Sequence, residues 1–189
     1  MFFKLRYLRD YIAASGIKSF FLWIIKIVVV AIVGFLVAIA LGKATFMQDG
    51  SMSPTLLAGD ITLTNRFAYQ IGEPSRGDVV AFKLSDDEMA SVHVKRVIGL
   101  PGETIQIVEG KILIDGEIYK EPMKFPVIEN PGMAEDVIKL GSNEYFVLGD
   151  NRNSSEDSRF LDVGVIDKKE MLGKIWFVIS PKDRMGFVE

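Results

Sequence analysis

The chain has 189 residues, 49% of them hydrophobic, one histidine, no cysteine and a formal net charge of −3. That length accommodates one domain plus an anchoring segment. The missing cysteines exclude disulfide and thiolate chemistry and a cysteine-based metal site, and one histidine is too few for a histidine-rich zinc site. Charge is uneven: Lys4, Arg6, Arg9, Lys18 and Lys26 against Asp10 give +4 through residue 42, which leaves −7 for the rest. An acidic remainder without a basic stripe argues against a nucleic-acid partner.

Residues 1–19 form a short N-terminal segment, expected to be cytoplasmic. Its mixture of aromatic and basic side chains is equally compatible with lying on the inner leaflet and with a solvated stub. The hydrophobic excess is concentrated in Phe20 to Leu41. At about 1.5 Å per residue this run is long enough to cross a hydrocarbon core of about 30 Å. Lys26 sits near its N-terminal end, where the stem can snorkel, and Trp23 suits an interface. The run exceeds the ~7–15 apolar residues of a cleaved secretory signal, and Gly42-Lys43-Ala44-Thr45-Phe46-Met47 is a poor small-x-small cleavage site. We therefore read residues 20–42 as an uncleaved transmembrane anchor. The basic cluster before it places the N-terminus in the cytoplasm and residues 43–189 on the extracytoplasmic side, a single-pass arrangement in the cell membrane.

Beyond the anchor the pattern is β-rich. Strands are predicted at 61–65, at 78–84 after the Gly77 turn, and at 92–98. A hairpin joins 104–108 to 111–114 through Glu109-Gly110, and Asp115-Gly116 turns into 117–119. Late strands are predicted at 144–148 and 174–179. Only Asp167–Met171 reads as a helical turn, with Asp167 as its cap. Residues 120–143 contain three prolines and no period, and read as an extended insertion. Short strands separated by turn signals indicate a mainly β, antiparallel, barrel-like domain.

Two residues carry candidate chemistry. Ser51 lies in a turn just past the anchor, and a serine hydroxyl attacks only when a neighbour takes its proton. His93 is the reflex choice of base, but nothing marks the acid that a Ser-His-Asp triad needs. On a strand, His93, Lys95 and Val97 share one face and Val92, Val94 and Arg96 the other. His93 can thus line a cleft with Lys95 without being the base. A lysine acts as a base only when neutral, which burial among apolar groups promotes. Taken alone, Ser51 is compatible with an ordinary turn set by Pro54, and Lys95 with a solvated strand residue.

Four blocks in order change that balance: Gly50-Ser51-Met52-Ser53-Pro54-Thr55-Leu56, Arg76–Phe82, Val94–Glu103 and Gly149–Arg159. Together with the anchor, they resemble the type I signal peptidases, membrane-bound serine proteases of peptidase family S26 that use a Ser/Lys dyad. The resemblance covers roughly residues 20–180. It implies Ser51 as nucleophile, Lys95 as general base, Ser155 as a hydroxyl orienting the lysine amine, and Asp157 with Arg159 as a supporting charged pair. Asp150, Asn151 and Arg152 look structural, bracing the loop behind the dyad. Within its block, Arg76-Gly77-Asp78 reads as a turn entering a strand and not as an integrin-binding tripeptide.

The resemblance implies removal of signal peptides from exported preproteins, without a metal or an organic cofactor. The lipid bilayer and the secretion machinery are the other implied partners. Small residues one and three positions before the cut would sit in shallow pockets lined by Met47, Met52, Leu56 and Val94. Asp49 stands where some relatives carry a hydroxyl donor. Ionised, it cannot donate, which leaves the Ser51 N–H as the main expected oxyanion donor. A non-catalytic binding relative would lack the serine or the lysine. A self-cleaving transcriptional regulator would carry a DNA-binding segment where the anchor stands. A purely structural anchored domain leaves the four blocks unexplained.

Overall fold

The computed structural model describes residues 18–36, 42–85, 87 and 89–188. Residues 1–17, which hold most of the N-terminal segment, and 37–41 lie outside them. The chain divides into two compact units, 1–41 and 42–189. The first contains helix α1, Lys18–Leu36, 19 residues long and fully exposed. By length and composition it can cross a membrane.

The second unit is built on two antiparallel sheets. The larger curls into a half-barrel in the order β1 (Gly42–Phe46), β2 (Ile61–Asn65), β11 (Met171–Ser180), β3 (Val79–Phe82), β4 (His93–Gly99), β9 (Glu144–Leu148) and β10 (Ile166–Asp167). Strand β12 (Gly186–Phe187) adds to β11. The smaller sheet runs β7 (Glu117–Ile118), β6 (Lys111–Ile114), β5 (Thr104–Val108) and β8 (Ile138–Lys139). Its hairpins turn where predicted. Glu109 and Gly110 have φ of 51° and 73°, and Asp115 and Gly116 have 51° and 82°. Paired positive φ values are the geometry that two-residue hairpins need.

Strand β3 is buried on both faces. Val80 and Phe82 join one cluster with Val97, Tyr145 and Val147, while Val79 and Ala81 join another with Met52, Leu56 and Val94. The two sheets meet in a third cluster. There Ile105, Ile107 and Ile112 of the smaller sheet pack on Ile98, Phe146 and Leu148 of the larger.

The mainly β, antiparallel, barrel-like expectation holds, and so does the capped turn: Asp167 caps Lys168–Glu170 with a reciprocal Glu170 contact. Three local expectations are corrected. That turn is accompanied by a short helix α2, Ala68–Ile71, and by 3-10 turns at Gly132–Glu135 and Lys182–Arg184. Helix α2 has no side-chain cap and is held by tertiary contacts: Tyr69 is buried and its hydroxyl donates to Asp78 Oδ2 at 3.1 Å. Residues 120–143, read as an extended insertion without a period, contribute to the core and to a sheet. Ile128, Ala134 and Leu140 are buried in the inter-sheet core, and Ile138–Lys139 pairs with β5. Finally, residues 42–46, read as the anchor's end and the chain beyond it, form β1, where Thr45 Oγ1 meets Thr64 Oγ1 at 2.7 Å.

Candidate active site

Ser51 lies in the turn between β1 and β2. Met52 and Leu56, both 0% exposed, hold that turn down by filling the core beneath it. Burying such a side chain contributes about 1.5–3 kcal/mol. From above, the Asn151 N–H donates to the Ser51 carbonyl at 2.9 Å and Asn151 Nδ2 to the Gly50 carbonyl at 3.3 Å. The serine is thus fixed between the core and the 149–159 loop.

Lys95 comes from the middle of β4, with Val80 as its β3 partner and Val97 two residues along the same face. It is 3% exposed, and its Nζ lies 2.6 Å from Ser51 Oγ. Burial pushes the Lys95 amine below the ordinary lysine value, against the pull of Asp49, Asp157 and Glu156 and with help from Arg159. A buried amine that readily loses its proton, in contact with a serine hydroxyl, can accept that hydroxyl's proton.

His93 lines the same cleft but stacks on Phe82, its β3 partner, with ring centroids 5.5 Å apart. Burial, then the Lys95 charge, hold its pKa below the ordinary imidazole value. The cleft encloses about 650 Å³ and is lined by Asp49, Ser51, His93, Lys95, Ser155, Glu156 and Asp162 among others.

The 149–159 loop backs the pair. Asp157, 0% exposed, accepts from Arg159 Nε at 2.8 Å and from the Gly149 N–H at 3.0 Å. Arg159 in turn donates to the Arg152 carbonyl at 2.6 Å and the Asn130 carbonyl at 3.0 Å. Ser155 lines the cleft with its hydroxyl oxygen buried and, among the described residues, without a hydrogen-bond partner. Gly149 has to be glycine, because a Cβ there would sit 2.1 Å from Ser155 Oγ and 2.6 Å from the Ser51 carbonyl.

On the other face of β4, Arg96 Nε and Nη2 donate to the two oxygens of Asp150 at 2.8 and 2.7 Å, and Thr55 of the serine turn donates to the same carboxylate. This contact ties the serine turn, the lysine strand and the loop together.

One site expectation changes, that of the pocket lining. Met47, Met52, Leu56 and Val94 are 0–5% exposed, share one core cluster and do not line this cleft. Four apolar side chains beside Val79, Ala81 and Ile175 gain more by packing than by facing an open cleft. Asp49 does not point away from the serine. Its Oδ1 accepts the Ser51 N–H at 2.9 Å.

Sequence reasoning also missed Glu121 and Phe125, inside the aperiodic insertion. Glu121 pairs with Arg152, and the Phe125 ring lies 4.3 Å from the Arg152 guanidinium carbon and 5.6 Å from that of Arg96. Glu156, Phe160 and Asp162 of the cleft wall were likewise unforeseen as lining, since no local signal points them inward. Among the described residues no cluster of His, Asp and Glu is placed to hold a metal ion.

Comparison with known proteins decides the family. Residues 20–180 match the family described as signal peptidase, peptidase S26. The chain belongs to that family. It is 35% identical to a signal peptidase I of Bacillus licheniformis over 87% of this chain and 90% of the relative. It is 35% identical to signal peptidase I P of Bacillus subtilis subsp. natto over 86% and 90%. A signal peptidase I of Leptolyngbya laminosa is 33% identical over 82% and 79%. Membership makes the chain a peptide-bond hydrolase of the serine peptidase type.

Proposed function

We propose that this chain removes signal peptides from exported preproteins with Ser51 as nucleophile and Lys95 as general base. The observation that carries the reading is the 2.6 Å contact between Ser51 Oγ and a buried Lys95 amine whose proton is loosened. Neutral Lys95 takes the Ser51 proton as Oγ attacks the scissile carbonyl. The lysine then protonates the leaving amine, and water, activated by the same amine, clears the acyl-enzyme. Asp157, Arg159 and Gly149 hold the loop against the dyad. Ser155, with its buried unpartnered hydroxyl, is the group available to orient Lys95 as its proton moves.

The domain division completes the proposal. A cytoplasmic segment at 1–19 precedes a transmembrane anchor, which ends before β1 begins at Gly42, and an extracytoplasmic catalytic domain runs from there to 189. Support comes from the apolar helix and from the positive charge that precedes it. The bilayer is then a fixed partner, and the secretion machinery delivers substrate to it. Cleavage follows small residues one and three positions before the scissile bond. The test is incubation of the detergent-solubilised protein with a preprotein that contains an Ala-x-Ala site. Mass spectrometry should show one cut after the second alanine, lost in both Ser51→Ala and Lys95→Ala. Processing that persists in Lys95→Ala refutes the dyad.

A further inference from the structure

We propose that Asp49 occupies the oxyanion subsite of the resting enzyme: its carboxylate holds the Ser51 N–H and must swing aside for a substrate carbonyl to enter, which makes it rate-controlling. The inference rests on the Ser51/Lys95 reading above. A serine nucleophile carries its own oxyanion donor, because its backbone N–H lies beside the atom that attacks. In this chain the donor is taken, with Asp49 Oδ1 at 2.9 Å. Asp49 is exposed on the cleft wall, so its side chain has room to leave.

The carboxylate is also the wrong charge for the place. Burial pushes the Asp49 carboxyl up, but interactions with the Ser51 side chain and N–H, and the charges of Lys95 and His93, outweigh that and hold it below its ordinary value. It is therefore ionised wherever Lys95 can act. An oxyanion forming at the Ser51 N–H meets this fixed negative charge unless Asp49 has moved. While in place, the same carboxylate favours charged Lys95, the inactive form of the base. The groups that face Lys95 are Asp49, Asp157 and Glu156, which retain its proton, Arg159, which expels it, and His93, whose own protonation the Lys95 charge opposes. Removing Asp49 frees the donor, removes the opposing charge and eases deprotonation, three effects of one sign.

The rival role is purely structural. An aspartate accepting the N–H two residues ahead closes an Asx-turn, and such a brace would orient Ser51. The Asp49→Asn substitution would keep that turn without the charge, which separates the two roles. The test compares full-length wild type, Asp49→Asn, Asp49→Ala and Ser51→Ala in detergent, on one Ala-x-Ala peptide, with melting temperature as the folding control. Binding of a peptide aldehyde, whose hemiacetal oxygen needs the Ser51 N–H, is measured against the matching product peptide, which does not.

Asp49→Ala, which frees the N–H, should gain about tenfold in kcat, a fraction of the roughly 10²–10³ that one oxyanion donor contributes, and Asp49→Asn, which lifts the charge but keeps a weaker acceptor in place, should show a smaller gain. The aldehyde should tighten relative to the product peptide, and the acidic limb of the pH profile should move down. A folded Asp49→Asn with unchanged kcat and aldehyde affinity overturns the proposal, as does a folded Asp49→Ala that is slower than wild type. Activity surviving in Ser51→Ala would overturn the dyad and this proposal with it. A dead Ser51→Ala beside unchanged Asp49 variants overturns the proposal alone.

Discussion

Asp150→Ala tests whether the contact behind the dyad holds the site together. Asp150 is 0% exposed and Arg96 is 4% exposed. The substitution deletes the acceptor of two Arg96 N–H groups and of the Thr55 hydroxyl. Breaking a buried ion pair by removing one partner costs about 3–5 kcal/mol. Arg96 keeps its 2.8 Å bond to the Gly77 carbonyl and its contact with the Phe125 ring, so the cost belongs at the lower end, about 3 kcal/mol. For a protein of this size each kcal/mol moves the melting temperature by about 2–4 °C, so the shift should be about 6–12 °C. The assay is thermal unfolding of the full chain in detergent, followed by near-UV circular dichroism. The double variant Asp150→Ala/Arg96→Met removes the buried cation as well and should recover part of the loss, because the two residues share one interaction. A double variant that melts below the single, or a single variant within about 1 kcal/mol of wild type, would refute the reasoning.

The other predictions concern the dyad and its supports. The cleavage rate should rise with pH through the Lys95 pKa in the folded protein, which burial sets below the ordinary lysine value; a limb at about 10.4 would contradict the base assignment. Lys95→Met should be inactive yet more stable than wild type near neutral pH. Between its lowered folded pKa and its ordinary value, the unfolded state binds more protons, so wild-type stability rises with pH across that window and the penalty is complete below it. Chemical denaturation at several pH values would show this slope vanish in the variant. Gly149→Ala forces a Cβ to within 2.1 Å of Ser155 Oγ; kcat should fall about 10²-fold, the cost of a displacement near 1 Å, as steady-state kinetics would show. His93→Ala should stay within about tenfold of wild-type kcat, since general acid-base catalysis supplies about 10²–10⁴ and the proposed base is Lys95.

The fold was legible where geometry is dictated locally. Glu109-Gly110 and Asp115-Gly116 turn the smaller sheet because those pairs tolerate positive φ at both positions. Strand β11 was legible only at its centre. Its start was hidden because the ladder shifts register between Met171 and Gly173, where glycine φ is 153° and a Cβ would sit 2.3 Å from the Asn65 carbonyl. Helix α2 could not be read, since its four residues carry no cap and depend on Tyr69 reaching Asp78. Nor could residues 120–143, whose buried residues follow no period because they pack across two sheets. At the site, Ser51 and Lys95 were legible only through the pattern of blocks. They lie 44 positions apart, and nothing local to either announces the other. Asp49 was legible as a misfit. Its turn toward the Ser51 N–H is a matter of side-chain rotamer, which sequence does not encode locally.

On the proposed mechanism Lys95 and Arg96, neighbours on β4, have opposite electrostatic tasks, and the strand keeps those tasks apart. Arg96 has to stay charged, and it meets the Asp150 carboxylate at hydrogen-bond distance through two of its N–H groups. Lys95 has to shed its proton, and the group it touches is a hydroxyl. Asp157, fully buried on the Lys95 side, would clamp the amine in the charged form if it were unopposed. Arg159 prevents that by taking both Asp157 oxygens, at 2.8 and 2.9 Å, and by adding a positive charge that favours neutral Lys95. The Asp157–Arg159 pair is therefore more than a brace for the loop. It lets a buried carboxylate hold the Gly149 N–H, and with it the backbone behind Ser51, without giving Lys95 a counter-ion that would end its proposed use as a base.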